Sequence, residues 1–158
     1  MLSGVSSQSV SDVFNANYVN YRIMFNFTTS ASSIEPTMRM RVSGTDNSSA
    51  NYIWHKMTAG HTGAYAGQGS GNSALATSWN FYSASGTYEG AASMDLQNPF
   101  ASIPTNFSCL GAYYDSLPNH GSTYASGLMS VNTSYTGFSF FVSTGTMTGT
   151  VRVYGYNN

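Results

Sequence analysis

Side chains along much of this chain alternate between apolar and polar with a period of two, and no segment carries the three- and four-residue apolar spacing of a helix. Between Tyr18 and Phe27, Val19, Tyr21, Ile23, Phe25 and Phe27 share one face, and Asn20, Arg22 and Asn26 the other. Because successive side chains of an extended strand point to opposite sides, this pattern predicts a strand buried on one face. Pro36 closes a turn before a second such strand, in which Met38, Met40 and Val42 oppose Arg39 and Arg41. Residues 43–47 read as a reversal, since Gly44 and Asn47 tolerate the left-handed backbone that tight turns demand.

Strand patterns recur at residues 51–57, 78–82, 91–96, 107–114, 123–131, 137–143 and 146–154. That makes about eight or nine short strands, with connections too brief for helical crossovers, so the pairing is expected to be antiparallel. An all-β, two-sheet sandwich of jelly-roll type accommodates them in 158 residues. An immunoglobulin-like sandwich and a closed barrel are the next choices. Between residues 58 and 72 the chain is dense in Gly, Ala and Ser and has no period, which reads as the longest irregular stretch. Residues 1–15 break the alternation and read as an N-terminal arm or a packed terminus, ahead of a single sandwich domain at 16–158.

Charged residues make up only 7% of the chain and the net charge is -1, so no long-range field of either sign exists. Five scattered cations are too few to neutralise a run of phosphates, which argues against a nucleic-acid partner. No apolar run is long enough for a membrane-spanning helix, and the first residues lack the basic start and apolar stretch of a signal peptide. Cys109, the only cysteine, lies in an apolar run and reads as a small buried hydrophobe; no disulfide can form within the chain.

Catalytic patterns are not legible. The carboxylates Asp12, Glu35, Asp46, Glu89, Asp95 and Asp115 fall mostly in expected turns, where acidic side chains bond nearby backbone amides. His55, His61 and His120 lack the i, i+2 spacing that would set two rings on one strand face as metal ligands. Gly67-Gln-Gly-Ser-Gly71 has its serine in the wrong place for a nucleophile elbow, and it lacks the lysine of a phosphate loop. No catalytic residue, metal or cofactor is therefore expected. The aromatic residues carry the remaining signal. Trp54, Tyr65, Trp79, Tyr82, Tyr113 and Tyr114 stand beside small polar residues, as on recognition surfaces, and are the candidate interface or ligand contacts. Tyr88 and Tyr124 belong to the same set, and each ring has core burial as its competing role.

The closing segment Ser143-Thr-Gly-Thr-Met-Thr-Gly-Thr-Val-Arg-Val-Tyr-Gly-Tyr156 resembles the last strand of small jelly-roll accessory domains of tailed bacteriophages, cyanophage types among them. The opening strand from Asn17 to Phe25, the run Met38-Arg-Met-Arg-Val-Ser-Gly-Thr-Asp46 and the turn Tyr135-Thr-Gly-Phe138 are similar to the same group. Residues 58–93 match nothing in it. The resemblance implies a non-enzymatic virion protein, assembled in the host cytoplasm: a capsid cement or decoration protein that binds the major capsid protein or another virion protein. It implies a homo-oligomer, with a trimer favoured. The alternative is a tail-fibre or head-appendage module that binds a receptor or host-surface glycan.

Overall fold

A computed structural model of the chain describes residues 1–31, 34–60, 65–72, 75–82, 89–116 and 119–157, with the side chains of 65–68, 115, 116 and 119 excepted. These residues build two antiparallel sheets and, among them, no helix. In chain order the strands are β1 (Leu2–Val5), β2 (Ser7–Val10), β3 (Asn20–Thr29), β4 (Thr37–Val42), β5 (Thr45–Asp46), β6 (Tyr52–Gly60) and β7 (Tyr65–Gly71). There follow β8 (Trp79–Asn80), β9 (Gly90–Gln97), β10 (Asn106–Ser116), β11 (Asn119–Met129), β12 (Gly137–Phe141) and β13 (Met147–Tyr156). The larger sheet runs β1-β13-β3-β9-β10-β11-β6-β7; the smaller runs β2-β12-β4-β5, with β8 also paired to β4. The fold is thus a β-sandwich, and its crossing connections are compatible with a jelly-roll path.

Period two explains the packing. On β3 Tyr21, Ile23, Phe25, Phe27 and Thr29 are buried, while Arg22, Met24 and Asn26 face out. On β4 Met38 and Met40 are fully buried and oppose Arg39 and Arg41, as the alternation predicts. Val19 and Val42, assigned to the same inward faces, are exposed instead, because Val19 precedes β3 and Val42 ends β4 where the sheet turns. That turn has φ 48° at Ser43 and 81° at Gly44, two successive left-handed residues of the kind a tight hairpin uses.

Aromatic rings fill the space between the layers. Phe140 of the small sheet stands with its ring centroid 4.8 Å from Phe25, 5.5 Å from Phe27 and 5.8 Å from Phe81. Trp79 packs on Phe107 at 4.6 Å and edge-on to Tyr52 at 5.5 Å, and its Nε1 donates to the Leu128 carbonyl at 3.3 Å. Phe14 joins Tyr21 and Phe138.

Two expectations need correction. The strands number thirteen among the described residues, not eight or nine, because β1, β2 and β5 are only two to four residues long and carry no readable period, and β7 lies in the stretch that reads as irregular. Residues 58–72 are not mainly irregular: β6 extends to Gly60 and pairs with β7. Glycine leaves β7 without a side-chain pattern, yet its backbone still pairs. Gly71 stands opposite Trp54, and a Cβ there would lie 2.1 Å from Nε1 of the indole, so the bare backbone lets the Trp54 ring cover the strand. Of the two readings of residues 1–15, an arm or a packed terminus, the strand pairing fits the second. β1 pairs with β13 and β2 with β12, so the terminus borders both sheets.

Since Phe140 touches rings from both layers, Phe140→Ala is expected to cost about 3–5 kcal/mol. Urea unfolding measures this; a loss below about 1 kcal/mol would show that the aromatic layer does not hold the sheets together.

Candidate binding face on the larger sheet

The described candidate aromatics divide between the core and the outer face. Trp79 and Tyr82 are fully buried and cannot meet a ligand, which corrects their assignment as contacts. Tyr82 is fixed in the core: its hydroxyl donates to the Ala112 carbonyl at 2.6 Å, and a Cβ on Gly111 would lie 2.4 Å from its ring. Trp54 and Tyr113 are partly buried against the core, Tyr113 with its ring 6.2 Å from Tyr82. Tyr114, the next residue, points outward. The side chain of Tyr65, with His61 and Tyr88, lies outside the described residues.

What the structure brings together instead is a row across the outer face of the larger sheet. Arg152 of β13 stands opposite Met24 of β3, Met24 opposite Ser93 of β9, and Ser93 opposite Leu110 of β10. Leu110 stands opposite Tyr124 of β11, and Tyr124 opposite Met57 of β6. Leu110 is 63% exposed, Met57 52%, Tyr124 48% and Met24 45%. At 4.7–4.9 Å per strand the row spans about 19 Å from Met24 to Met57. Beside it run Ala91, Ala112, Ser122 and Ala59, whose short side chains leave the sheet low. The result is a hollow of about 470 Å³ lined by Met24, Ala91, Ser93, Leu110, Ala112 and Arg152. It shares Ala91 and Ala112 with a hollow at Glu89, Tyr114 and His120, and Ser93 and Leu110 with one at Arg22, Asp95 and Tyr124. Together they form a shallow trough along β9 and β10.

Two of the charges at the trough cancel each other. Arg22 grips Asp95 with two parallel hydrogen bonds of 2.9 Å, which hold the guanidinium pKa above its ordinary value. The Tyr156 hydroxyl donates to the same carboxylate at 3.3 Å; burial first, then Asp95, pushes its pKa up. Elsewhere Arg41 pairs with Asp46, and Lys56 with Glu35. Arg39 lies over the Phe141 ring and donates to the Thr77 carbonyl.

The other candidate groups are placed as follows. Cys109 is buried on the inner face, as expected of a small hydrophobe, and burial pushes its thiol up to about 12. His55 and His120 are exposed on the outer face, and no three metal-ligating side chains cluster among the described residues. The outward apolar row was overlooked at the sequence level, although parity could have exposed it: Leu110 alternates out of phase with Phe107 and Cys109, and Met24 interrupts the polar side of β3.

No family model matches the sequence, and no curated protein matches it significantly. Among solved structures, an alginate lyase from Klebsiella pneumoniae aligns over 86% of this chain at 6% identity and a TM-score of 0.22. The alignment covers 62% of the lyase. A non-toxic crystal protein from Bacillus thuringiensis aligns over 99% of this chain and 78% of its own at 12% identity and a TM-score of 0.12. At these values neither likeness carries an argument about this protein.

Burial raises the proton affinity of Cys109, Tyr52 and Tyr82 together. The folded state keeps these protons where the unfolded chain releases them, so their contribution is intact below pH 9.0, the ordinary value of the thiol, and falls as pH rises toward about 12. Each group that titrates only on unfolding steepens the fall by about 1.4 kcal/mol per pH unit. Melting temperatures between pH 8 and 11 should drop, and Cys109→Ala should flatten the onset; an unchanged profile would contradict the burial.

Proposed function

We propose that this protein works by docking rather than by catalysis, as an accessory protein of a virus particle, with the outer face of its larger sheet set against another virion protein. The supporting observation is the exposed row Met24, Leu110, Tyr124 and Met57 over a floor of alanine and serine. Exposed apolar surface that is contiguous rather than scattered marks an interaction site. Methionine and leucine suit a protein surface more than a sugar, because thioether and aliphatic groups offer burial and no hydrogen bonds to hydroxyls. The partner that fits is itself largely apolar, since the Arg22–Asp95 pair at the trough is already satisfied within the chain and Arg152 stands at one end of the row. The setting in a particle, as cement or decoration, rests on the sequence resemblance.

A glycan-binding role in a fibre or appendage is the second reading. It is favoured by Tyr114, Tyr124, Tyr154 and Tyr156, all partly or well exposed on this same face.

Purified particles are expected to contain the protein at a copy number set by their symmetry. Leu110→Glu should weaken rebinding to particles stripped of it by about tenfold or more, with an unchanged melting temperature, as for an anchor at the centre of an interface. Protein found only free in the lysate would sink the docking proposal. Glycan-array binding lost with Tyr124→Ala but kept in Leu110→Glu would favour the second reading.

A further inference from the structure

Away from the trough, a lysine, a glutamate and an asparagine meet between the two sheets. Lys56 sits on the inner face of β6, with its side chain only 5% exposed. Its Nζ donates to Glu35 Oε1 at 2.6 Å and to Asn80 Oδ1 at 3.0 Å. Asn80, buried on β8 of the smaller sheet, donates from Nδ2 to Glu35 Oε2 at 2.5 Å. Each side chain therefore touches the other two. The carboxylate bridges an amine and an amide, and the amine lies against the carbonyl it could attack. Lys56 and Asn80 are both buried, while Glu35 is half exposed.

The geometry points to an autocatalytic amide cross-link between Lys56 and Asn80, promoted by Glu35, that joins the larger sheet to the smaller one. In the first step Glu35 takes a proton from the Lys56 ammonium, freeing the lone pair on Nζ. Nζ then attacks Cγ of Asn80, which lies one carbonyl bond beyond the oxygen it already contacts. A C–N bond forms and the carbonyl electrons move to Oδ1. Glu35 protonates Nδ2 across their hydrogen bond and takes the surplus proton from Nζ. The carbonyl reforms, the Cγ–Nδ2 bond breaks, and ammonia leaves toward the solvent side of Glu35, taking up the last proton as ammonium. One ammonium and one amide become a secondary amide and ammonium ion, with no change of oxidation state and no co-reactant. The groups are held in place beforehand, which turns a slow bimolecular aminolysis into a step within one molecule. The product also removes the buried ammonium of Lys56, while Glu35, half exposed, keeps its charge in reach of solvent.

Intact-mass spectrometry of the denatured protein is expected to show a mass one ammonia below that of the sequence. Trypsin should leave the bond after Lys56 uncut, and chymotrypsin should release a branched peptide joining Lys56 to Asn80. Glu35→Gln and Asn80→Ala should both retain the full mass and a cleavable Lys56. Wild-type protein that keeps its full mass after prolonged incubation would overturn the proposal. So would loss of ammonia without a branched peptide, which is the signature of cyclisation at an asparagine. A Glu35→Gln protein that cross-links as fully as the wild type would overturn the role of Glu35. If either variant fails to fold, the mass and branched peptide of the wild type still decide whether the bond forms.

Discussion

Contact between aromatic rings of the two sheets is the interaction on which the rest of this structure depends. The chain has few charges, no disulfide and no helix among its described residues, so cohesion must come from burial across one interlayer space. Phe25, Phe27, Phe81 and Phe140 form one cluster there, and Tyr52, Trp79 and Phe107 another. Fully burying a large apolar side chain contributes about 1.5–3 kcal/mol, and a well-oriented ring pair roughly 0.5–1.5 kcal/mol beyond that. The same demand explains why Trp79 and Tyr82 are unavailable to a ligand. A sandwich this poor in aliphatic side chains uses its aromatic ones as mortar.

Inward use of rings leaves the outer face of the larger sheet to be defined by what remains. β9 and β10 carry alanine and serine outward at Ala91, Ser93, Ser108 and Ala112, so the longer side chains of Met24 and Leu110 stand above a low floor. The trough is thus a by-product of strand composition, set on the middle of a rigid eight-stranded sheet rather than on loops. A surface held this way can bind without first ordering itself, which lowers the entropic cost of association. Pairing of Arg22 with Asp95 cancels two of the charges there, which leaves shape and apolar contact to supply much of the specificity.

Much of the fold was legible because alternation is a local signal. β4 spans the residues the pattern predicts, and β3, β9, β10, β12 and β13 depart from it by a few residues at their ends. What failed were elements defined by pairing alone. β7 reads as structureless because glycine shows no face, and the two-residue β5, inside an expected reversal, is recognisable only through its partner β4. Among the site residues, the adjacency of Tyr113 and Tyr114 correctly places them on opposite faces, and the outward position of Tyr114 follows. Trp79 was mistaken for a contact because a buried tryptophan beside polar residues looks, in one dimension, like an exposed one. Its serine and asparagine neighbours belong to other surroundings: Asn80 to the interlayer triad, not to solvent.

Lys56 shows the same limit from the other side. It shares strand parity with Tyr52 and Trp54, so its inward orientation can be read from β6 alone. Its partners cannot. Glu35 and Asn80 come from segments on either side of β6 in the chain, and only the stacking of β8 beneath β6 brings them together. A lysine buried without partners would be strongly disfavoured, whereas one held by a carboxylate and an amide is tolerated, and the same contacts that satisfy it also align it for reaction. Satisfying a buried charge and preparing an acyl transfer are here one arrangement. Its position matters as well: it links β6, next to the edge of the larger sheet, to the short β8 at the margin of the smaller one. A covalent tie there would fasten to the larger sheet a two-residue strand whose sheet pairing is with β4.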